Sequence, residues 1–309
     1  MTPSVQRSAP SPSSQVGERS RASDIAAQAS VVAAIDAPTQ SVLVGETRYA
    51  YRAFGAGSGP PLVFLNRFRG TMDEWDPLFL DRIAAHRRVV IFDNAGVARS
   101  GGTAAPSLRG WAANAAAFID ALGLATVDLL GFSFGGLVAQ ELTLLRPHLV
   151  RRLIIVGSGA GHVEGANVRP EAIAVATKPL NTDEDFLYLF FKDTPTSQQA
   201  GRDHLARLKG RADAFAEVVS EPTWQAMLAA AGDVGTPETS LLTRIGAITQ
   251  PVLVANGNED AMIPTYQSYP LAQAMPNARL IIYPDSGHAF MFQHIESFSA
   301  DVAQFLGDD

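Results

Sequence analysis

The sequence contains no cysteine among its 309 residues. This absence excludes a disulfide framework, a thiol nucleophile and a metal centre held by thiolates. Basic residues are few: 24 lysines and arginines against 31 aspartates and glutamates give a net charge of −7. This mild acidity is spread along the chain, so we expect no nucleic-acid partner. No run of about 18 apolar residues occurs, which excludes a membrane-spanning helix. A soluble enzyme or a soluble binding protein is left.

The first 40 residues differ in composition from the rest of the chain. Serine, proline, alanine and glutamine dominate them, and none of them is aromatic. Such a segment cannot bury enough apolar surface to offset its ordering entropy. We therefore expect a flexible N-terminal tail over residues 1–40, of which residues 23–34 could still pack on the body as a helix. Ser-Pro repeats stand where a secretory signal would carry its apolar run, so the sequence predicts a cytoplasmic protein.

From residue 41 onward, short apolar segments alternate with amphipathic ones. Residues 41–55 are typical of two antiparallel strands with a turn at Gly45. Further strands are predicted at 60–66, 87–94, 126–133, 150–159, 251–257 and 278–287, and helices near 73–85, 108–124, 134–147, 266–275 and 294–306. Apolar strands that alternate with amphipathic helices predict an α/β fold with a mostly parallel central sheet and helices on both faces.

Residues 162–240 interrupt this alternation, because they contain helical stretches and no buried strand. A helical insertion between two strands would lie over the carboxyl ends of the sheet, where open α/β sheets bind ligands. We therefore predict a body formed by residues 41–161 and 241–309, with a helical cap at 162–240. Large apolar side chains in the cap favour a hydrophobic small molecule as the substrate. These side chains are Phe186, Leu187, Tyr188, Phe190, Phe191, Trp224 and Met227.

One motif points to a nucleophile. Residues 131–135 read G-F-S-F-G and lie between a predicted strand and a predicted helix. In this context G-x-S-x-G forms a sharp turn that exposes the serine hydroxyl, and glycines flank it because side chains there would clash. The N–H groups of the following helix can stabilise negative charge. We predict Ser133 as a nucleophile; the alternative is a glycine-rich turn that only packs.

A serine nucleophile needs a histidine base, and the sequence offers six histidines. His288 directly follows a predicted strand and its loop, which puts it at the carboxyl edge of the sheet, so we predict it as the base. His86, His148 and His204 lie in helix ends or charged runs and are expected at the surface. His162 follows a strand end near the cap, where it could contact substrate.

The acid that orients the histidine should precede it in the chain, after the strand at 251–257. Glu259 and Asp260 are both available in that loop. Asp260 stands between the strand and the turn at 263–264, and we prefer it as the acid. Asp285, close to the histidine, is expected to brace the histidine loop.

These motifs, in this order, resemble the α/β-hydrolase superfamily. The resemblance covers residues 41–309 and rests on the segments 131–136, 257–264 and 286–288. It is closest to the small capped members, which include esterases, lactonases, cofactor-free haloperoxidases and C–C bond hydrolases. The resemblance implies the α/β-hydrolase fold, a serine hydrolase with no cofactor and no metal, and an oxyanion hole made of two backbone N–H groups.

The resemblance assigns these N–H groups to Phe134, directly after the serine, and to Phe68, in the loop after the strand at 60–66. Relatives usually read His-Gly-x-Pro in that loop, whereas this chain reads N-R-F-R at 66–69. Arg67 and Arg69 therefore enter the neighbourhood of the site. Either could bind an anionic or carbonyl-rich substrate, although a salt bridge to Asp73, Glu74 or Asp93 is the preferred interpretation.

Three functions remain open on the sequence alone. The first is hydrolysis of a carboxylic ester or lactone; the second is C–C bond hydrolysis of a β-diketone-type compound, or acyl transfer, by the same residues. The third is a receptor that binds a ligand without turnover. The oligomeric state is not predicted. Residues expected to contact the substrate are Asn66, Arg67, Phe132, Phe186, Phe190, Trp224 and Met262.

Overall fold

The computed structural model describes residues 32–166 and 168–307. Most of the tail predicted at 1–40 lies outside them. Of its described part, Ala34–Asp36 forms a short 3-10 helix that is fixed to the body, because the Ala34 N–H donates to Asp81 Oδ1 at 2.6 Å. The domain bounds expected from the sequence stay predictions.

Eight strands in the described residues form one sheet. The strands are β1 Gln40–Val44, β2 Thr47–Phe54, β3 Leu62–Leu65, β4 Val89–Phe92, β5 Val127–Phe132, β6 Val150–Val156, β7 Val252–Gly257 and β8 Ala278–Tyr283. Their spatial order is β1-β2-β4-β3-β5-β6-β7-β8. Strand β2 runs antiparallel to both of its neighbours, and all other pairs are parallel. The predicted mostly parallel sheet and its antiparallel entry pair are confirmed.

The composition of the strands explains their places in the sheet. Every residue of β3, β4, β5 and β7 is buried, as expected for parallel strands covered on both faces. The edge strand β1 instead has exposed and half-buried residues. The fully buried, apolar strands thus lie inside the sheet and not at its edges, and β5, which precedes Ser133, is one of them.

Six helices of the described residues belong to the body. These helices are α1 Pro77–Ala84, α2 Leu108–Ala121, α3 Phe134–Leu145, α8 Ser268–Ala274, α9 Phe290–Gln293 and α10 Ile295–Leu306. Helices α2 and α3 pack into one hydrophobic core on one face of the sheet, and α1 and α10 into a second core on the other. The predicted helices on both faces are confirmed.

Four further helices, which we call the cap helices, lie between β6 and β7. They are α4 Pro170–Ala176, α5 Asp183–Phe190, α6 Pro195–Leu208 and α7 Glu221–Gly232. Local capping explains where two of them begin. The hydroxyls of Thr182 and Thr194 accept backbone N–H groups in the first turns of α5 and α6, which satisfies donors that have no partner within the helix.

One sequence expectation is wrong: His204 is not at the surface. It is completely buried on α6, and its Nδ1 lies 2.7 Å from Oδ2 of Asp76. Arg207, one turn further on α6, forms a salt bridge to the same carboxylate. The charged run that suggested a solvated face therefore binds one acidic side chain of the body.

No helix in residues 32–166 and 168–307 is both long enough and apolar enough to cross a bilayer. The cytoplasmic location expected from the sequence stays a prediction.

Candidate active site

The turn between β5 and α3 presents Ser133 in a constrained backbone conformation. Its φ is +54° and its ψ is −118°, a region that side-chain-bearing residues occupy only when the surroundings enforce it. The Ser133 N–H donates to the Val156 carbonyl at 2.9 Å, and the Ser133 carbonyl accepts from Ser158 Oγ at 2.7 Å. The serine is thus fixed at the carboxyl end of the central sheet.

Glycines are required on both sides of this turn. A Cβ at Gly131 would lie 2.3 Å from the carbonyl oxygen of Gly135, and a Cβ at Gly135 would lie 2.1 Å from that of Leu65. Both contacts are with backbone atoms, which cannot move away as a flexible side chain would. The G-x-S-x-G spacing therefore follows from the close approach of α3 to the ends of β3 and β5.

The loops after β7 and β8 bring Asp260 and His288 together. His288 Nδ1 lies 2.6 Å from Asp260 Oδ2, and both side chains are buried. The other carboxylate oxygen, Oδ1, accepts the backbone N–H groups of Met262 and Ile263, each at 2.8 Å. These two bonds fix the carboxylate. Because Nδ1 is occupied by Asp260, Nε2 is the imidazole nitrogen that is left for other contacts.

Glu259, the alternative acid considered from the sequence, lies elsewhere. Its side chain is half exposed and its Oε2 pairs with the Lys192 ammonium at 3.2 Å. Lys192 is also 3.9 Å from the Asp285 carboxylate. The two neighbouring acids therefore bind a cap lysine, whereas Asp260 binds the imidazole.

Ser133 and His288 line the same cavity, which has a volume of about 400 Å³. Volumes of this size accommodate drug-sized ligands. Most of the wall is apolar and comes from the cap, mainly from Phe186, Leu189, Phe190, Leu205, Leu208 and Val219. Two wall residues, Leu180 and Val218, are 82% and 70% exposed, so the apolar lining continues to the mouth.

The loop after β3, residues 66–71, forms another part of the wall, and we call it the β3 loop. Phe68 lines the cavity, and its N–H donates no hydrogen bond to the described part of the chain. Phe134 is the first residue of α3, so its N–H has no acceptor within the helix. Two backbone donors that have no hydrogen-bond partner in the described residues therefore follow β3 and β5, which are neighbouring strands of the sheet.

Arg67 and Glu74 add an ion pair to the cavity wall. The Arg67 guanidinium lies 2.6 Å from Glu74 Oε1 and 4.7 Å from the ring centroid of Phe190. Glu74 Oε2 also accepts the Thr71 N–H. Burial raises the pKa of Glu74, and the arginine opposes this rise. Arg67 thus forms one of the salt bridges expected from the sequence while it still lines the cavity.

Seven of the residues predicted for the site line this cavity. They are Arg67, Phe68, Ser133, Phe186, Phe190, Met262 and His288. Asp260 stands behind His288. Four other predicted residues are not among the described residues that line the cavity: Asn66, Phe132, Phe134 and Trp224.

These other residues have well-defined contacts. The Asn66 amide donates to the Phe92 carbonyl and accepts from the Trp75 indole, so it fixes the start of the β3 loop. The Phe132 ring packs 4.9 Å from the His288 ring, centroid to centroid. Trp224 faces Arg69, with 5.4 Å between its ring centroid and the guanidinium carbon.

Several wall residues escaped the sequence prediction. Glu74 and the apolar residues between 205 and 219 belong to the wall, but they stand in segments that read as charged or polar. The spacing of Leu205 and Leu208, three residues apart on one helix, is the signal that could have found this face.

Nowhere in residues 32–166 and 168–307 do three or more histidine, aspartate or glutamate side chains form a group that could hold a metal ion.

Comparison with known proteins identifies the class. The model of the alpha/beta hydrolase fold family matches residues 60–295, and the chain therefore belongs to the α/β-hydrolase family, as the sequence resemblance predicted. The 2-hydroxymuconate semialdehyde hydrolase of Pseudomonas putida is 32% identical over 206 residues, which cover 64% of this chain and 68% of that protein.

Solved structures agree with this assignment. An alpha/beta hydrolase fold protein from Chitinophaga pinensis is 37% identical with a TM-score of 0.81, covering 89% of this chain and 99% of that one. The enol-lactonase from Burkholderia xenovorans LB400 has a TM-score of 0.69 at 22% identity, covering 87% and 100%; at this identity it shows the same fold. The protein is an enzyme of the α/β-hydrolase class.

Proposed function

We propose that the protein hydrolyses a carboxylic ester or lactone of a hydrophobic small molecule, with Ser133 as nucleophile, His288 as base and Asp260 as the orienting acid. The observation that carries this proposal is that Ser133 and His288 line one cavity while Asp260 holds His288 Nδ1 at 2.6 Å. A histidine fixed in this way can accept a proton at Nε2.

The first half of the reaction forms an acyl-enzyme. Ser133 Oγ attacks the carbonyl carbon as its proton passes to His288 Nε2, and Asp260 stabilises the resulting imidazolium. The carbonyl oxygen becomes an oxyanion, for which the N–H groups of Phe68 and Phe134 are the donors. Loss of one such donor typically costs about 3 to 4 kcal/mol of transition-state stabilisation. The intermediate then expels the alcohol, which takes the proton from His288.

The second half releases the acyl group. Water gives a proton to His288 Nε2 and attacks the acyl carbon, and collapse of the second intermediate returns the proton to Ser133 Oγ. The products are a carboxylic acid and the enzyme in its starting state. For a lactone, the alcohol and the acid belong to one product molecule. No step uses a cofactor or a metal.

The cavity supports an apolar substrate. Its wall is mainly apolar, and the exposed Leu180 and Val218 extend the apolar surface to the mouth. Burial of each methylene contributes roughly 0.8 kcal/mol. Esters with longer apolar chains should therefore bind more tightly until the chain passes the mouth.

A second candidate is C–C bond hydrolysis of a β-diketone-type compound with the same three residues. Arg67 favours it, because this residue lines the cavity and its guanidinium could pair with an enolate or a carboxylate. The Pseudomonas putida relative is named 2-hydroxymuconate semialdehyde hydrolase, and this name is consistent with a polar substrate that an arginine could bind.

A substrate panel tests the proposal. The wild type and Ser133→Ala are assayed with p-nitrophenyl esters of increasing chain length, with lactones and with 1,3-diketones. We expect the wild type to cleave esters or lactones and the variant to be inactive. Cleavage of diketones alone would favour the second candidate, and transfer to an added alcohol in place of hydrolysis would favour acyl transfer. Saturable binding without turnover of any compound would indicate a receptor.

A further inference from the structure

In the β3 loop, Arg69 occupies a turn position whose backbone conformation is unfavourable for an arginine. The Gly70 N–H donates to the Arg67 carbonyl at 3.0 Å, which makes Phe68 and Arg69 the two central residues. Arg69 has a φ of +56°, a value that glycine or asparagine usually supplies at the second central position. A non-glycine residue keeps this conformation only if its surroundings stabilise it.

The side chain of Arg69 has such surroundings at the end of cap helix α4. Its guanidinium donates hydrogen bonds to the carbonyls of Ala176 at 3.2 Å, Lys178 at 2.5 Å and Pro179 at 3.1 Å. The last carbonyls of a helix have no partner within it and carry partial negative charge, so a cation is favoured there. Ala176 is the last residue of α4, and Lys178 and Pro179 follow it, so one arginine of the body binds the end of this cap helix and the segment after it.

The same residue also contacts cap helix α7. The Arg69 guanidinium lies 5.4 Å from the Trp224 ring centroid, and its backbone N–H donates to Met227 Sδ at 3.4 Å. The Trp224 ring in turn meets the Phe68 ring edge to face, with 6.4 Å between centroids. Two cap helices that are distant in sequence therefore converge on the residue that follows Phe68.

We propose that Arg69 is a positioning residue that couples the position of the cap to the orientation of the Phe68 N–H. The proposal rests on the proposed function, in which this N–H binds the oxyanion. With α4 and α7 in contact, Arg69 holds the turn at 67–70 in the conformation that presents the Phe68 N–H to the cavity. Without these contacts, the positive φ of Arg69 is unsupported and the turn relaxes.

Arg211 provides a matched control. It also donates from its guanidinium to backbone carbonyls, those of Ile35 at 2.8 Å and Ala37 at 2.9 Å, and so joins the segment after α6 to the body. Unlike Arg69, which is part of the cavity wall, Arg211 does not line the cavity. A substitution there removes a similar set of bonds to carbonyls, together with an ion pair to Asp213, without touching the β3 loop.

The experiment compares Arg69→Gln, Arg69→Lys and Arg211→Gln with the wild type, using an ester that the wild type cleaves. A displaced oxyanion donor should affect the transition state more than substrate binding. We expect Arg69→Gln to lower kcat by about 10- to 100-fold with little change in KM. Its affinity for a trifluoromethyl ketone, which forms a tetrahedral adduct with the serine, should fall by a similar factor. Arg69→Lys should recover part of the loss, and Arg211→Gln should keep the wild-type kcat.

Other results would overturn the proposal. A rise in KM alone, with kcat and ketone affinity unchanged, would mean that Arg69 only closes the cavity. An equal loss of kcat in Arg211→Gln would indicate general loosening of the cap, and thermal unfolding of each variant identifies a folding defect. If the wild type cleaves esters and Arg69→Gln does so equally well, the positioning role fails alone. If the wild type cleaves nothing, the proposed function fails and the positioning role fails with it.

Discussion

The part of the chain that the structure describes contains two buried histidine–aspartate pairs of nearly the same geometry. In one, His288 Nδ1 lies 2.6 Å from Asp260 Oδ2; in the other, His204 Nδ1 lies 2.7 Å from Asp76 Oδ2. Aromatic rings pack on both imidazoles, with Phe132 on His288 and Phe292 stacked on His204. Distance and burial therefore do not distinguish the two pairs.

The pairs differ in what surrounds the second ring nitrogen and the carboxylate. His288 lines the cavity together with Ser133, whereas His204 Nε2 is buried without a hydrogen-bond partner in the described residues. Both carboxylates accept backbone N–H groups, but of the two only Asp76 also pairs with an arginine, Arg207, in the described residues. A buried histidine–aspartate pair is therefore a candidate for catalysis only when its histidine shares a cavity with a nucleophile, as His288 does with Ser133.

Exchange of each aspartate for asparagine should separate the pairs most strongly. We expect Asp260→Asn to lower kcat by about 10⁴-fold, because the imidazole loses the group that sets its tautomer and stabilises its cation. Asp76→Asn should change kcat by less than about tenfold, since Asp76 acts between the cap and the body. Ester hydrolysis rates of the two variants measure the difference. Near-normal activity of Asp260→Asn would move the acid to another residue.

Removal of the second imidazole should act on stability instead. His204→Phe keeps an aromatic ring against Phe292 but loses the hydrogen bond to Asp76. A hydrogen bond to a charged group contributes roughly 1.5 to 3 kcal/mol, so the free energy of unfolding should fall by about that amount. Urea unfolding followed by fluorescence gives this value. If His204→Phe unfolds like the wild type but loses activity, the assignment of His204 to structure is wrong.

The pH dependence of stability gives a finer test of the same pair. Burial lowers the pKa of His204, although Asp76 opposes the effect, so the unfolded chain binds this proton more readily than the folded one. The stabilisation is present above the unfolded pKa of about 6.5 and is lost as the pH falls below it. The wild type should therefore lose more stability than His204→Phe between about pH 7.5 and pH 5, by at most about 1.4 kcal/mol per pH unit. Equal slopes in urea unfolding would contradict this account.

The sequence allowed the fold and the main site residues to be predicted, because each depends on local patterns. Ser133 stands in a strand–turn–helix motif whose glycines are required by backbone contacts. His288 and Asp260 each follow an apolar strand, and parallel strands bring their carboxyl ends to one edge of the sheet. Position along the chain was therefore enough to predict that these residues meet.

Other features depend on contacts between distant segments. His204 stands in a charged run, and its partner Asp76 is 128 positions away. The partners of Arg69 are backbone carbonyls 107 to 110 positions away. Because every residue has a backbone carbonyl, the sequence does not indicate which of them an arginine will bind. The predicted helix near 73–85 begins only at Pro77, because Thr71 and Asp76 cap two separate turns. Local patterns do not encode such pairings.

The central claim, that Ser133 is the nucleophile activated by His288 and Asp260, is tested most directly by a covalent probe. The wild type, Ser133→Ala and Asp76→Asn are incubated with a fluorophosphonate, digested and mapped by mass spectrometry. We predict one adduct, on the peptide that contains Ser133, in the wild type and in Asp76→Asn, and no adduct in Ser133→Ala. No labelling of the folded wild type, or an adduct on another residue that persists in Ser133→Ala, would contradict the claim.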